Sequence, residues 1–241
     1  MWRLSAFLAR NPDISRDAFL SRLVDQWAPS AASFGQQRGA LKQVVVSLPQ
    51  DLAGTGLESL FPPVFDALVE LWFDSSEDAL STLSQFAGGE DALRLDDAID
   101  PSTSVCFLGE VKPKKPDHDG KSGVRMTVAG HVREGWNIDD AHRYWSEVHP
   151  VVAQKVPETW ERLSLYQQIH NKNIIGDELV SWLCPYQYYP MSADMGAPTI
   201  QQLLAAYDNE QYMAIIRPDE QKFSRPEDML TFVSDRRLTF N

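Results

Sequence analysis

The histidines of the segment 140–150 are the residues best suited to acid and base chemistry in this chain. His142, Trp145 and His149 follow one another at spacings of three and four residues, so a helix would carry them along one face. An imidazole titrates near neutral pH and can move protons without a cofactor. We predict His149 as the catalytic acid and base, with His142 and Trp145 as substrate contacts. Helix capping or bonding of a carbonyl is the alternative role for His149, and a surface position is the alternative for His142.

Polar and aromatic side chains alternate with apolar ones on two segments that are typical of β-strands. His131 lies opposite two valines in the segment 124–133, and Tyr166, Gln168 and His170 alternate with leucine and isoleucine in the segment 163–170. If the apolar set packs under helices, the polar set points into a cavity. We therefore predict His170, Tyr166 and His131 as further catalytic residues and Gln168 as a substrate contact. A solvent-exposed sheet face would explain the same pattern.

An aromatic run follows in the segment 182–191, which contains Tyr186 and Tyr188. Ring faces stack on flat ligands, and phenol hydroxyls fix their orientation or donate a proton, so both tyrosines are predicted to bind an aromatic or polyketide-like molecule. The alternative is an edge strand and loop whose rings cover the core.

Motifs for metal, phosphate and nucleophilic chemistry are absent from the sequence. There is no His-x-His, helical His-x-x-x-His or Cys-x-x-Cys pattern, no glycine-rich phosphate loop with its lysine, and no Gly-x-Ser-x-Gly turn. We predict no metal ion and no cofactor. Cys106 and Cys184 each lie in an apolar run and are predicted to be reduced thiols in the core.

The elements that position these residues occur twice along the chain. Strand, helix, strand, strand, helix, strand is the order expected before Pro113 and again after Ser122, which is the split pattern of a ferredoxin-like domain. We predict an α+β protein with two tandem ferredoxin-like βαββαβ domains, residues 1–112 and 124–241, joined by a linker at 113–123 that is rich in Pro, Gly and charge. The expected strands are 2–9, 41–48, 64–73, 104–111, 124–133, 163–170, 178–189 and 229–239. The expected helices begin after Ser15 and Ser75 or Ser76 and span 138–155 and 199–216.

Four segments resemble the EthD-type family of the dimeric α/β-barrel superfamily. The segment 140–150 carries an aromatic residue, a Trp and a His followed by Pro, and the segment 17–29 stands at the matching place in the first half. The segments 65–73 and 218–223 are similar to the family's third strand and to the acidic turn after its second helix. Trp27 stands about where His149 stands in the other copy. The first half is therefore expected to shape the cavity, and Trp27 and Trp72 complete the predicted substrate-binding set.

This resemblance implies that the two antiparallel sheets pack into one α/β barrel within a single chain. It also implies a cofactor-independent lyase, cyclase or isomerase that uses histidine acid and base chemistry on an aromatic or polyketide-like molecule in the barrel cavity. A cofactor-free monooxygenase of a phenolic substrate and a non-catalytic small-molecule binding protein are the alternatives. Relatives that bind heme leave a single histidine ligand as a further alternative to the absence of a cofactor.

Composition limits the classes of binding partner and the cellular compartment that we expect for this protein. The formal net charge of -12 argues against nucleic acid, because that affinity depends on Lys and Arg neutralising phosphates. No stretch approaches the roughly 18 apolar residues of a membrane helix, and the first residues lack the features of a signal peptide. We expect a cytoplasmic protein that binds a small molecule and neither nucleic acid nor a membrane. Association into a homodimer is left open.

Overall fold

Strands and helices occupy most of the chain in the computed structural model, which describes residues 1–38, 40–53, 61, 64–88, 93–117, 120–225 and 228–241. The first half contains β1 (Trp2–Leu8), α1 (Arg16–Leu20), a π-helical segment (Ser21–Trp27), α2 (Ala28–Arg38), β2 (Leu41–Pro49), β3 (Ala67–Phe73), α3 (Ser76–Ala87) and β4 (Val105–Lys115). The second half contains β5 (Val124–Gly130), α4 (Ile138–Glu147), α5 (His149–Gln154), α6 (Pro157–Trp160), β6 (Leu165–His170), α7 (Asp177–Val180), β7 (Met191–Ala197), α8 (Ile200–Tyr207), a second π-helical segment (Tyr212–Ile216), α9 (Arg217–Phe223) and β8 (Leu230–Phe240).

The described strands form a closed antiparallel barrel in the order β1-β3-β2-β8-β5-β7-β6-β4. In the first half β1 pairs with both β3 and β4, and β2 pairs with β3. In the second half β7 pairs with both β5 and β6, and β8 pairs with β5. Each half thus repeats the strand order of a ferredoxin-like sheet. The predicted α+β fold class is confirmed.

The described residues divide into two compact units that do not follow the two halves throughout. Unit 1 consists of Met1–Glu110, Asn171–Tyr188 and Arg236–Asn241, and unit 2 consists of Val111–His170 and Tyr189–Asp235. The segment 171–188 comes from the second half of the sequence but belongs to unit 1. The strand β4 runs to Lys115, so residues 113–115 of the expected linker are strand, while 118–119 lie outside the described residues.

The core of unit 1 includes an aromatic stack that the segment 171–188 completes. The ring of Trp182 lies 4.7 Å from Phe86 and 6.4 Å from Trp27 between centroids. The Trp27 indole N–H donates to the Leu93 carbonyl at 2.9 Å, so its polar atom is satisfied inside the core. This stack ties the segment to α3 and to the first π-helical segment.

Both cysteines are free and buried in unit 1, as predicted. The Cys106 thiol donates to the Cys184 carbonyl at 3.5 Å. Burial, followed by the hydrogen bond with Cys106, raises the pKa of the Cys184 thiol. The Cys184 thiol therefore stays protonated at neutral pH.

The predicted helix starts are confirmed by their caps. The Ser15 side chain accepts from the Ala18 N–H, and the Ser75 side chain accepts from the Asp78 N–H. The Asn137 side chain accepts from two N–H groups in the first turn of α4. Each cap satisfies donors that a helix leaves unpaired at its beginning.

The strand predicted at 178–189 is wrong. Residues 177–180 form the short helix α7, and the strand that pairs with β5 and β6 is β7. Pro185 lacks the N–H group that a central strand donates, which disfavours a strand in the predicted segment. The sequence of β7 is not typical of a strand, because the residues on one of its faces are small or polar. Its buried Asp194 accepts from the Thr127 hydroxyl at 2.8 Å and from the Gln167 amide at 2.6 Å.

The last predicted helix also differs from the observed one. It was expected at 199–216, but α8 ends at Tyr207, and helical structure resumes in the second π-helical segment and continues through α9 to Phe223. Pro218 is the second residue of α9 and follows directly on the π-helical segment, the kind of place where an irregular helix turn accommodates a missing N–H. This continuation places Asp219 and Glu220 on a helix instead of in the expected turn.

Candidate active site

His149 is the first residue of α5 and lies against α9. The Pro150 that follows it suits the first turn of a helix, where a backbone N–H is not required. The side chain is buried, with 6% of the residue's surface exposed. Its Nδ1 atom lies 2.9 Å from Oδ2 of Asp219. Seventy positions of sequence separate these two residues, and the packing of α5 on α9 brings them together.

The second carboxylate oxygen of Asp219 has two further partners. Oδ1 accepts from the Tyr144 hydroxyl at 2.5 Å and from the Lys222 ammonium at 3.0 Å. Burial by itself would raise the pKa of Asp219, but the hydrogen bonds from His149, Tyr144 and Lys222 outweigh it and hold the pKa well below its usual range. Asp219 is therefore ionised at neutral pH.

This geometry fixes what His149 can do. A neutral imidazole that donates its Nδ1 hydrogen to a carboxylate carries its lone pair on Nε2. The carboxylate then stabilises the cation that forms when Nε2 accepts a proton, which is the role of the acid in histidine-based catalytic pairs. Because an ionised carboxylate can only accept, the hydrogen shared with Asp219 is assigned to Nδ1 of His149.

Glu220, the next residue on α9, has a contrasting environment. Its Oε2 accepts from the Tyr212 hydroxyl at 2.8 Å and lies 3.4 Å from the Arg217 guanidinium. Burial raises the pKa of Glu220 in spite of these partners and of His149, whose charge would lower it. Two adjacent carboxyl groups thus have pKa values shifted in opposite directions, a pattern common at sites of acid and base chemistry.

The polar side chains of β6 face the helices of unit 2. The Gln168 amide donates to the Trp145 carbonyl of α4 at 2.7 Å and to the Tyr166 hydroxyl at 2.9 Å. The His170 ring stacks on Trp145 at 4.9 Å with an interplanar angle of 12°. The prediction that these side chains point away from the helices is wrong. Polar Gln167 takes the opposite face because Asp194 satisfies its amide.

His142 joins this group from α4. Its Nε2 lies 2.8 Å from the Pro190 carbonyl, and its ring centroid lies 4.5 Å from that of His170. Tyr166 links the group to His149, since their rings meet edge to face at 6.4 Å. The structure therefore brings together six of the predicted site residues within unit 2: His142, Trp145, His149, Tyr166, Gln168 and His170.

His131 lies just after β5, which ends at Gly130, and so is not on the strand where it was predicted. Its ring contacts Tyr189 at 5.0 Å, and its backbone carbonyl accepts from the Arg225 N–H. Burial, followed by the charge of Arg225, lowers the pKa of His131.

The other predicted contacts belong to unit 1. Trp27 is part of the aromatic stack in the core, and Trp72 on β3 is buried with the Arg3 guanidinium 5.4 Å from its ring. The Tyr186 hydroxyl donates to Asn173 at 2.5 Å, and Tyr188 is half-buried. Trp27 thus has a packing role.

Sequence reasoning did not assign Asp219, Tyr144 and Lys222 to the site. Asp219 and Lys222 lie in the acidic segment 218–223, and Tyr144 lies in the histidine-bearing segment 140–150. The available signal was the three-residue spacing of Asp219 and Lys222, which places them on one helix face. Their relation to His149 depends on tertiary packing.

A surface cleft of about 410 Å³ opens beside Tyr144, the residue that donates to Asp219. Tyr144 forms part of it, and the Trp136 ring meets the Tyr144 ring edge to face at 5.5 Å. The cleft is lined by Gly135, Trp136, Asn137, Asp140, Arg143, Tyr144, Glu147 and Val148. An occupant would therefore contact the residue that holds Asp219, whereas His149 is not part of the lining.

Solved structures of other proteins share this fold over nearly the whole chain. An anthrone oxidase-like protein superposes with a TM-score of 0.58 at 11% identity, covering 99% of this chain and 92% of that chain. A candidate chlorite dismutase superposes with a TM-score of 0.54 at 8% identity, covering 97% of this chain and 93% of that chain. This chain therefore has the same α+β barrel fold as these proteins.

No protein-family model and no curated protein matches the sequence of this chain. Within the described residues, none of its helices is both long enough and apolar enough to span a bilayer. The same residues contain no cluster of three or more His, Cys, Asp or Glu side chains placed to hold a metal ion.

Proposed function

We propose that this protein is a cofactor-independent lyase, cyclase or isomerase that moves protons on an aromatic or polyketide-like small molecule. The observation that carries the proposal is the 2.9 Å contact between His149 Nδ1 and Asp219 Oδ2. This contact leaves Nε2 as the base, and Asp219 stabilises the resulting imidazolium. Return of the proton to a different atom of the substrate would complete an isomerisation, a ring closure or an elimination.

We further propose membership of the EthD-type family. The segment 140–150 supports it, because Trp145, His149 and Pro150 stand at the family's spacing. The aromatic rings close to the pair, Tyr166 and Phe223, suit a flat substrate.

A cofactor-free monooxygenase is the second candidate. The fold likeness to an anthrone oxidase-like protein favours it, and its first step would be the same. Removal of a proton from an electron-rich phenol or anthrone gives an anion that molecular oxygen can oxidise. Both candidates therefore need His149 as a base, and they differ in whether oxygen is consumed.

The test is product formation by the parent protein and by His149→Ala. Both are incubated with a panel of phenolic and polyketide-like compounds, with and without oxygen, and the mixtures are analysed by mass spectrometry. We expect product from the parent alone and at least a 100-fold loss in the variant, the lower range for a general base. Asp219→Asn should also lose activity, because an amide cannot stabilise the imidazolium in the same way. Glu158→Gln, an exposed carboxyl-to-amide change on α6, is the matched control.

The outcomes separate the candidates. Product that forms without oxygen supports the lyase, cyclase or isomerase, and product that requires oxygen supports the monooxygenase. Compounds that bind unchanged to both the parent and His149→Ala would contradict both and support a non-catalytic binding protein. Equal turnover by His149→Ala would remove the pair from the mechanism.

A further inference from the structure

We infer that Lys222 and Tyr144 are positioning residues that act on His149 through Asp219, by holding the carboxylate in place and offsetting its pull on the His149 proton. The inference rests on the proposed function of the His149–Asp219 pair. It assigns roles to two residues that need not touch the substrate.

The contacts divide the two carboxylate oxygens between different partners. Oδ2 of Asp219 faces His149, while Oδ1 is taken by the Tyr144 hydroxyl and the Lys222 ammonium. Tyr144 comes from α4, His149 from α5, and Asp219 and Lys222 from α9. Three helices therefore meet at one carboxylate, which cannot rotate without breaking these bonds.

The electrostatic consequence follows from the sign of each charge. An ionised carboxylate beside a histidine favours the imidazolium, which is no longer a base. Lys222 carries a positive charge close to the same carboxylate and the Tyr144 hydroxyl donates to it, so both offset its pull on the His149 proton. Removing either residue should make His149 hold its proton up to a higher pH.

Other titratable groups around His149 remain in place in such variants. Glu220 and Arg217 lie on α9, Tyr212 lies on the second π-helical segment, and Tyr166 lies on β6. On α6, Glu158 is exposed. Glu220 also acts on His149, but its own partners are Tyr212 and Arg217. A substitution of Lys222 therefore isolates the effect exerted through Asp219.

The experiment is a histidine ¹⁵N NMR titration of the full chain, with the His149 signal assigned from its loss in His149→Ala. We expect the protonation midpoint of His149 to rise by roughly half a pH unit in Lys222→Met, and in the same direction in Tyr144→Phe. Lys222→Arg should restore the parent midpoint. Because the Lys222 side chain is 58% exposed, its substitution should leave the fold intact and its effect should shrink at 1 M salt.

Lys155→Met removes another exposed lysine of unit 2 and is the matched control. An unchanged midpoint in Lys222→Met, or an equal rise in Lys155→Met, would overturn the inference. With a substrate in hand, the acid limb of the kcat/KM profile should move with the NMR midpoint. A shift in the NMR midpoint of a protein with no turnover would instead sustain this inference and reject the proposed function.

Discussion

Asp219 is buried in the candidate site and has three hydrogen-bond partners there. It receives hydrogen bonds from a histidine, a tyrosine and a lysine, and only 2% of its side chain is exposed. A buried carboxylate is costly unless such partners replace its water. The same bonds that make Asp219 useful in proton transfer therefore also decide whether its burial is tolerated.

The Tyr144→Phe variant should test this link between stability and ionisation. Because the pKa of Asp219 is lowered in the folded state, its ionised form stabilises the fold fully above the unfolded pKa of about 3.9, and this contribution is lost only as pH falls from that value through the lower folded pKa. Losing the hydroxyl should lower the free energy of unfolding by about 1–3 kcal/mol at pH 7. Urea unfolding at pH 7 and near pH 3 would measure it. Folded Asp219 stays ionised over this range, so most of the loss should persist at pH 3, and a variant as stable as the parent at pH 7 would contradict the assignment.

The residue types of the site could be predicted from the sequence, but their pairing could not. His149, Trp145 and His142 share a helix, so their common face follows from spacing alone. The partner of His149 lies on α9, and no local pattern joins α5 to that helix. The predicted orientation of the Gln168 side chain was also wrong. The buried polar pair Gln167 and Asp194 makes the opposite face of β6 polar as well, so alternation alone did not show which face meets the helices.

At the scale of elements, capping residues and periodic helices were predictable and the strand β7 was not. Asn137 marks the start of α4 through chemistry that acts within one turn. In contrast, β7 contains alanine, glycine and aspartate, which are uncommon in strands, and its pairing is stabilised by Thr127 and Gln167 on neighbouring strands. Tertiary contacts therefore outweighed local propensity at this strand.

The segment 171–188 gives a direct test at this scale. Trp182→Ala should lower the free energy of unfolding by about 3–5 kcal/mol, because it removes a fully buried ring that stacks on Phe86 and Trp27. Tyr186→Phe, which removes one partly exposed hydroxyl of the same segment, is the control and should cost far less. Similar losses in the two variants would mean that the segment is not part of the core of unit 1.

At the scale of the whole molecule, the two units share strands. Unit 1 takes β4 up to Glu110 and β8 from Arg236, and unit 2 takes the remainder of each strand. Each unit also contains a buried ion pair. In unit 1, Glu70 pairs with Arg3 at 2.7 Å, and in unit 2, Asp194 pairs with Arg125 at 3.6 Å.

We expect the protein to unfold in one transition, because β4 and β8 each run without a break from residues of one unit into residues of the other. Far-ultraviolet circular dichroism and tryptophan fluorescence in urea should give coincident curves. The ratio of calorimetric to van't Hoff enthalpy should be close to one. Two separated transitions would show that each unit is stable by itself.

The aromatic stack of unit 1 also bears on how such a chain can evolve. A sequence in which the order of strands and helices occurs twice suggests two modules that could be inherited, exchanged or expressed separately. Yet the first half draws Trp182 from the second half into its own core. A fragment ending at residue 112 would leave the rings of Trp27 and Phe86 without this partner. We therefore expect that neither truncation nor exchange would separate the halves without loss of the core of unit 1.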